Sequence, residues 1–426
     1  MPSPLMHLRR LRLVSFRAHA ESTLALAPKV NLLTGPNGAG KTNVLEAIHY
    51  LCLSKSFLTS SDAYVLQRER PFFEVEGDFA SERRPSLQVR LVYVPDEGKK
   101  LFVNRAPLDR LSNIVGQLPV VVIAPDDYDL TAGGPEQRRR FLDNTLSQSK
   151  PVYLDDLLKY RRALKQRNAL LLHLKRNRGA SDAGLGAWTE ELVTLGARIV
   201  GRRARFLERF AEFLAEAYVQ LGEVGEEPTF DYQTFAPLPA GPADDLNTDA
   251  VADLFRQHLG RRARQERERG RTLLGPHRDE IVFRLNGFEV RPYASQGQHR
   301  TFGLALKLAK FFYLKDRLDE TPLLLLDDVF GTLDVRRARV VLALLRSDAV
   351  GQSLLTAARA DAFADLIDFD GATHRHLRVE GGRVLTLGVD NAAPTSGLGA
   401  APSAPDASIA DPAIPDDSVE TTAASS

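Results

Sequence analysis

The stretch GPNGAGKT, from Gly35 to Thr42, constrains this chain more than any other. It follows the apolar run VNLLT and precedes NVLEAIHYLCL, so we predict a strand, a glycine-rich loop and a helix in succession. In that context the loop matches the P-loop pattern, whose backbone N–H groups and helix N-terminus bind the phosphates of ATP. Lys41 is expected to reach the β and γ phosphates as a catalytic residue, and Thr42 to bind Mg²⁺. The predicted nucleotide-binding residues are Gly35, Pro36, Asn37, Gly38, Ala39, Gly40, Lys41 and Thr42.

A second motif, LLLLDD from Leu323 to Asp328, is an unbroken apolar run that ends in two acids. Such a run is typical of a central parallel strand that is buried on both faces. In a P-loop protein, Asp327 suits the Mg²⁺ contact and Asp328 suits the group that orients or deprotonates the attacking water. The alternative is a solvated strand end with two ordinary aspartates.

The segment YASQGQHR, from Tyr293 to Arg300, precedes a predicted helix from about Gln296 to Arg317. Taken alone, Ser295 is an ordinary helix N-cap. Between a P-loop and a strand that ends in two acids, the segment resembles the signature loop of ABC-type ATPases, whose usual form is LSGGQ. That resemblance implies that Ser295, Gln296, Gly297 and Gln298 bind a γ-phosphate held by a second protomer.

The order of elements predicts an α/β core interrupted by helices. We expect an N-terminal core part at 1–135, a helical insertion at 136–270, a C-terminal core part at 271–387 and a disordered acidic tail at 388–426. In the insertion, 136–177 and 188–221 predict two long helices joined by GASDAGLG as an antiparallel arm, followed by a basic helix at 251–269. Elsewhere, 7–34 predicts two strands with a loop between them, and FEVRPYA predicts a strand.

Charge, cysteine count and the lack of long apolar runs limit the classes of protein to which this chain can belong. The chain of 426 residues carries a net charge of +1, and without the six acids of the tail the rest carries +7, which permits a nucleic-acid partner. The single cysteine, Cys52, excludes disulfides and cysteine-based metal sites. No run approaches the roughly 20 apolar residues of a membrane span, and no signal peptide is evident. We therefore expect a cytoplasmic protein.

Taken in order, the motifs resemble the RecF family of bacterial recombinational repair ATPases, which are related to SMC and Rad50 proteins. The resemblance runs from about Leu8 to Val384 and rests on a set of stretches: LRLVSFRAHA, GPNGAGKTNVLEAIHYL, PDDYDLTAGGPEQRRRFLD, KYRRALKQRNALL, LLGPHRDEIVF, YASQGQHRTFGLALKLA and LLLLDDVFGTLD. It implies an ABC-type P-loop fold and a homodimer that closes on ATP around duplex DNA near single-strand gaps or junctions. It also implies the partners RecR and RecO, with RecA loading, replication restart and induction of the SOS response downstream.

The same resemblance assigns further residues and shows departures. Asp334 lies in the loop that crosses the dimer interface, and Arg17 lies where related ATPases aim a cation at the phosphates; a solvated strand-end charge is the alternative for Arg17.

The chain departs from the family pattern at several positions. Gly331-Thr332 replaces the usual Ser-Glu, and Leu58 replaces an arginine. Thr356-Ala357-Ala358 stands where transporters carry a switch histidine, so we predict slow hydrolysis.

Basic residues on the predicted helices are candidates for DNA phosphate contacts. Glutamates are interleaved with them, so solvated helix faces are the alternative. The candidates are Arg138, Arg139, Arg140, Arg161, Arg162, Lys165, Lys175, Arg176, Arg202, Arg203, Arg205, Arg261, Arg262 and Arg264.

Three other functions share some of these elements. The ATPase subunit of a transporter has the P-loop, signature loop and paired acids, but the helical insertion and the missing switch histidine oppose it. An SMC-like DNA tether needs arms of hundreds of residues, which this chain lacks. A P-loop kinase, finally, has no use for a signature loop.

Overall fold

The computed structural model describes residues 6–81, 83–177, 181–222, 225–239, 241–318, 320–360 and 367–387. The predicted tail at 388–426 lies outside them. The strands are β1 (His7–Phe16), β2 (His19–Ala25), β3 (Val30–Thr34), β4 (Phe73–Ala80), β5 (Leu87–Val94), β6 (Gly98–Val103), β7 (Ala106–Pro107), β8 (Val120–Ile123), β9 (Pro228–Gln233), β10 (Glu280–Leu285), β11 (Phe288–Glu289), β12 (Leu323–Leu326), β13 (Ser353–Ala357), β14 (His374–Glu380) and β15 (Arg383–Leu387). The helices are α1 (Lys41–Leu53), α2 (Tyr128–Ala132), α3 (Pro135–Ser149), α4 (Pro151–Arg176), α5 (Leu185–Gln220), α6 (Thr248–Arg269), α7 (Val290–Tyr293), α8 (Gln296–Arg317) and α9 (Val335–Arg346).

One sheet is antiparallel, in the order β2-β1-β4-β5-β6-β7. Leu11 and Leu13 of β1 are fully buried two residues apart, as expected for a strand with one face on a core. The prediction of a loop between β1 and β3 was wrong, because β2 pairs antiparallel with β1 from Ala25 to His19. The segment HAESTLA is mostly polar, and the edge position of β2 in the sheet allows this.

The second sheet has the order β15-β14-β3-β13-β12-β8 and is parallel except for β15. Strand β12 reads as a continuous apolar run, and both β12 and β13 are buried throughout, which matches the prediction for LLLLDD. Since β13 alone separates β3 from β12, the P-loop and the paired acids leave the same edge of the sheet. Helix α1 contacts both β4 and β13, so it packs between the two sheets. The prediction of an α/β core is confirmed.

The helical insertion differs from its prediction in two ways. The helix predicted over 136–177 is two helices, α3 and α4, because Lys150 adopts an extended conformation (φ −144°) before Pro151. Helix α5 is also not a free arm along its length. Its aromatic residues Phe206 and Phe210 pack on Tyr313 of α8, with the Phe206 and Tyr313 ring centroids 4.9 Å apart, so this half of α5 belongs to the main core.

A buried arginine joins α5 to α3 and to the turn that precedes β10. Arg203 is 1% exposed and donates to Asp279 Oδ2 and the Pro276 carbonyl oxygen at 2.7 Å each, and to Asp143 Oδ1 at 2.8 Å. The prediction that it contacts DNA is therefore wrong. Arg138 is likewise buried and donates to Glu280 at 2.8 Å, so it is also removed from the candidate DNA contacts.

A small sheet in the order β11-β10-β9 precedes the predicted signature loop. The segment FEVRPYA, predicted as one strand, contains the two-residue strand β11 and then the short helix α7. Pro292 cannot donate to a β-ladder but is tolerated in the first turn of a helix, which accounts for the difference. Among the described residues, no helix combines the length and apolar character needed to cross a membrane.

Candidate ATP-binding site

The P-loop connects β3 to α1 through glycines in conformations that other residues rarely adopt. Gly38 and Gly40 have φ values of +78° and +106°, and α1 begins directly after Gly40. A Cβ on Gly35 would lie 2.1 Å from the Val379 carbonyl oxygen, and one on Gly40 would lie 2.9 Å from Nε2 of His19. The loop therefore depends on glycine at these positions for space as well as for backbone conformation.

The Lys41 side chain contacts the start of the P-loop. Its Nζ donates to the carbonyl oxygens of Gly35 at 2.7 Å and Pro36 at 3.0 Å, and the residue is 9% exposed. The ammonium group is thus held by carbonyl oxygens of the same loop whose N–H groups are predicted to bind phosphate. The predicted loop residues, from Gly35 to Thr42, lie together at one site.

The structure also brings the second motif to this site. Thr42 Oγ1 donates to Asp327 Oδ1 across 2.7 Å, although the two residues are 285 positions apart. A hydroxyl and a carboxylate are the hard oxygen donors that Mg²⁺ prefers. No group of three or more His, Cys, Asp or Glu side chains that could hold a metal ion occurs in the described ranges. Thr42 and Asp327 therefore fit a magnesium ion that completes its coordination with phosphate and water, rather than a cage made only of protein.

Asp328 follows at the exposed end of the strand. Its φ of +47° places it in the left-handed region, and its backbone N–H donates to Thr356 Oγ1 at 2.9 Å. The side chain is exposed, as the predicted role in orienting water requires. In the sequence, Thr356 is notable only for standing near the place of a switch histidine, and no local motif indicates this contact.

Arg17 is engaged by protein groups. Its Nε and Nη2 donate to the two carboxylate oxygens of Glu46 at 2.9 Å and 2.8 Å, and its Nη1 donates to the Tyr64 carbonyl oxygen at 2.9 Å. The hydrogen bonds to Glu46 raise the pKa of Arg17, against the opposing effect of burial. Glu46 is fully buried on α1 and was not predicted. The role of Arg17 at the phosphates stays a prediction.

His19 is a second residue that sequence reasoning missed. Its Nε2 lies 3.1 Å from the Gly40 carbonyl oxygen and its Nδ1 lies 3.0 Å from Ser22 Oγ. Burial lowers the pKa of His19, which favours the neutral ring. Its contact with the Gly40 carbonyl oxygen joins the P-loop to the start of β2. The signal in the sequence was weak, because His19 lies in the polar segment that was taken for a loop.

The predicted signature residues lie at the start of α8. Ser295 is the N-cap, and a capping box joins it to Gln298: Ser295 Oγ accepts from the Gln298 N–H at 3.2 Å, and Gln298 Oε1 accepts from the Ser295 N–H at 3.0 Å. The helix-cap interpretation of Ser295 is therefore confirmed. Gln296 and Gly297 occupy the exposed first turn. Capping is compatible with anion binding, since the helix N-terminus faces solvent.

The predicted crossing loop adjoins the signature loop. Arg300 Nη1 donates to the Thr332 carbonyl oxygen at 3.3 Å, and Asp334 caps α9 by accepting from the Arg337 N–H at 2.9 Å. That backbone hydrogen bond is the main cause of the lowered pKa of Asp334. In the part of the chain that the structure describes, no hydrogen bond or ion pair joins Ser295–Gln298 to Gly35–Thr42. The structure thus shows a P-loop site and a separate exposed surface that carries Ser295 and Asp334.

Comparison with known proteins identifies the family. Residues 7–379 match the family model for the RecF/RecN/SMC N terminal domain. The DNA replication and repair protein RecF of Salinibacter ruber is 57% identical over 378 residues, which cover 88% of this chain and 91% of that protein. The chain belongs to the RecF family. The RecF protein of Chloroherpeton thalassium is 43% identical over 85% of this chain and 97% of its own length. The predicted membership of the RecF family, with its role in DNA replication and repair, is confirmed.

Solved structures agree with this assignment of the RecF fold. A structure described as the recombination mediator protein RecF-ATP in the RecFOR pathway superposes with a TM-score of 0.80 at 28% identity, covering 90% of this chain and all of that one. The Smc head domain of Pyrococcus furiosus, at 15% identity and a TM-score of 0.51, shares the fold alone. The predicted ABC-type ATPase fold is therefore confirmed.

Proposed function

We propose that this RecF-family protein binds ATP and Mg²⁺ at the P-loop and uses them to control binding of DNA in recombinational repair. The observation that carries the proposal is the convergence of Lys41, Thr42 and Asp327 at one edge of the parallel sheet. Lys41 would contact the phosphates, and Thr42 and Asp327 would hold the magnesium ion. The ion would supply charge that stabilises the transferring phosphoryl group.

ATP would also join two protomers. Ser295 and Gln298 lie at an exposed helix N-terminus that, within the described residues, makes no hydrogen bond or ion pair with the P-loop of the same chain. In a head-to-tail dimer, this surface and Asp334 would complete the P-loop site of the second protomer. The Ser295 hydroxyl then has two roles, as a cap of α8 and as a ligand of the γ-phosphate.

Hydrolysis in this dimer would be weak and dependent on DNA. Asp328 would orient the attacking water, and its side chain is one methylene shorter than the glutamate common in ABC enzymes. ATP would therefore stay bound for a long time before hydrolysis, and its slow hydrolysis would set how long a dimer stays on DNA.

The insertion would supply the DNA contacts. On α4, Arg162, Lys165 and Arg176 are exposed, share one helix face by their spacing and make no ion pair among the described residues. On α6, Arg261 and Arg262 are exposed in the same way. These cations suit the phosphate backbone, which gives affinity without sequence preference.

The cellular setting follows from the family. The RecFOR pathway named for the solved relative supports RecR and RecO as partners, with RecA loaded downstream. We further propose a cytoplasmic protein that binds duplex, gapped or junction and single-stranded DNA, with a preference for duplex DNA near single-strand gaps or junctions. The units of the chain would be a core at 1–135 and 271–387, with the insertion at 136–270 between them.

Sedimentation tests the proposal. Wild type, Lys41→Arg and Ser295→Arg are compared with ATP, ADP and no nucleotide, with and without a gapped duplex. Ser181→Arg is the matched control, since it places the same charge on an exposed serine beside α5. We expect ATP to dimerise the wild type and the control, whereas Ser295→Arg binds ATP but stays monomeric. Normal dimerisation of Ser295→Arg would show that the loop is only a helix cap.

A further inference from the structure

Thr356, the penultimate residue of β13, bridges the two acids of the candidate site. Its Oγ1 donates to Asp327 Oδ1 at 2.7 Å and accepts from the Asp328 N–H at 2.9 Å. The residue is 1% exposed, so water does not replace these contacts. A hydroxyl has one proton to donate and lone pairs to accept, and Thr356 uses both capacities here.

We propose that Thr356 is a positioning residue for the magnesium site, a role that rests on the ATP and Mg²⁺ binding proposed above. Asp327 Oδ1 accepts from Thr42 and from Thr356, so two hydroxyls fix the orientation of its carboxylate. Groups that hydrogen-bond to a metal ligand set its orientation, and their loss typically weakens metal binding by about 10-fold to 100-fold.

The same hydroxyl fixes Asp328. The Asp328 backbone is in the left-handed region, and its N–H donates to the Thr356 hydroxyl on the neighbouring strand β13. Thr356 therefore couples the position of the proposed water-orienting acid to that of the proposed metal ligand. A threonine at the end of the neighbouring strand does this because β12 and β13 are paired in parallel and end side by side.

A purely structural role for Thr356 is the alternative. Its backbone pairs with Leu33 of β3, and that pairing does not need the hydroxyl. Substitution by valine keeps the volume and the β-branch and removes only the hydroxyl. Thr321 offers a matched control: it is fully buried just before β12, and its Oγ1 has no hydrogen-bond partner among the described residues.

The experiment is a Mg²⁺ titration of ATP binding, measured by equilibrium dialysis, on wild type, Thr356→Val, Thr356→Ser and Thr321→Val. We expect Thr356→Val to need about 10-fold more Mg²⁺ for half-maximal binding, with ATP affinity in EDTA unchanged within about twofold. Thr356→Ser, which retains the hydroxyl, and Thr321→Val should titrate like wild type.

Two results would overturn the proposal. One is an unchanged Mg²⁺ midpoint for Thr356→Val; the other is an equal loss of ATP binding in EDTA, which would show a structural effect. Should Thr356→Val not fold, Thr356→Ala also lacks the hydroxyl and is expected to show the same shift. A wild type whose ATP binding ignores Mg²⁺ would instead contradict the proposed function itself, and the role of Thr356 with it.

Discussion

Gln298 Nε2 donates to Glu226 Oε1 across 3.0 Å, while Oε1 of the same amide accepts from the Ser295 N–H. The signature loop is therefore joined to the segment between α5 and β9. That segment also accepts a hydrogen bond from Arg336 of α9, through the Gly222 carbonyl oxygen at 3.0 Å. One segment thus contacts both elements of the exposed surface proposed to meet the second ATP.

The first prediction concerns the charge of Glu226. The Gln298 amide lies between the Glu226 carboxylate and Ser295. The carboxylate should therefore repel a γ-phosphate that binds at Ser295. Replacing Glu226 by Gln keeps an oxygen acceptor for Gln298 and removes the charge. We expect ATP-dependent dimerisation to tighten by roughly threefold at low salt and less at high salt. Sedimentation equilibrium measures this, with Glu216→Gln on the exposed part of α5 as the control. Weaker dimerisation of Glu226→Gln would mean that the ion–amide contact supports the loop instead.

The second prediction concerns acid stability. Burial lowers the pKa of His49 to about 3 and that of His277 to about 4. The unfolded chain therefore binds protons at these residues below about pH 6.5 while the folded chain does not, so stability falls as the pH falls towards the folded pKa values. Each histidine should cost about 2 kcal/mol between pH 7.5 and pH 5.

Urea unfolding of wild type and His277→Asn at the two pH values measures this cost. The variant should lose about 2 kcal/mol less than wild type on acidification. A constant packing loss cancels in this comparison, including loss of the 2.7 Å contact between His277 Nδ1 and the Tyr160 hydroxyl. Equal losses for the two proteins would contradict the depressed pKa of His277.

The third prediction concerns Arg203. Its substitution by methionine leaves the buried carboxylate of Asp279 without its cation and leaves Asp143 with only Arg161, which should cost about 3–5 kcal/mol of unfolding free energy. Arg198→Met is the matched control on the same helix. Its side chain is 49% exposed and lies 3.8 Å from Asp156, so that change should cost less than about 1 kcal/mol. Denaturant unfolding compares the two, and similar costs would refute the buried network.

The fourth prediction concerns the proposed DNA surface. Replacing Arg162 and Lys165 together by Ala should weaken binding of duplex DNA and reduce the slope of log affinity against log salt by about 2. Arg256, which is exposed but pairs with Glu190 and Asp253, supplies the control, because its charge is already compensated. Fluorescence anisotropy over a salt series is the measurement. A reduced slope for Arg256→Ala, together with an unchanged slope for the double variant, would indicate that DNA binds at α6 and not at α4.

The sequence by itself determined the local units. GPNGAGKT between an apolar run and a helical pattern specified β3, the loop and α1, because a P-loop is contiguous and its glycines meet a backbone requirement within a few residues. The same holds for α8, whose predicted bounds agree with the observed ones, and for LLLLDD. Residue spacing and helix capping depend on residues only a few positions apart, so the sequence pattern shows them directly.

Only the tertiary structure decided which distant groups meet. The contact of Thr356 with Asp327 depends on the pairing of β12 with β13, and the burial of Arg203 depends on how α5 packs on the turn at Pro276. A charged residue on a helix has the same local signature whether it faces water or an internal carboxylate. Its environment is set by the packing of elements far apart in the chain, which is why Arg203 resembled a DNA contact and proved to be part of the core.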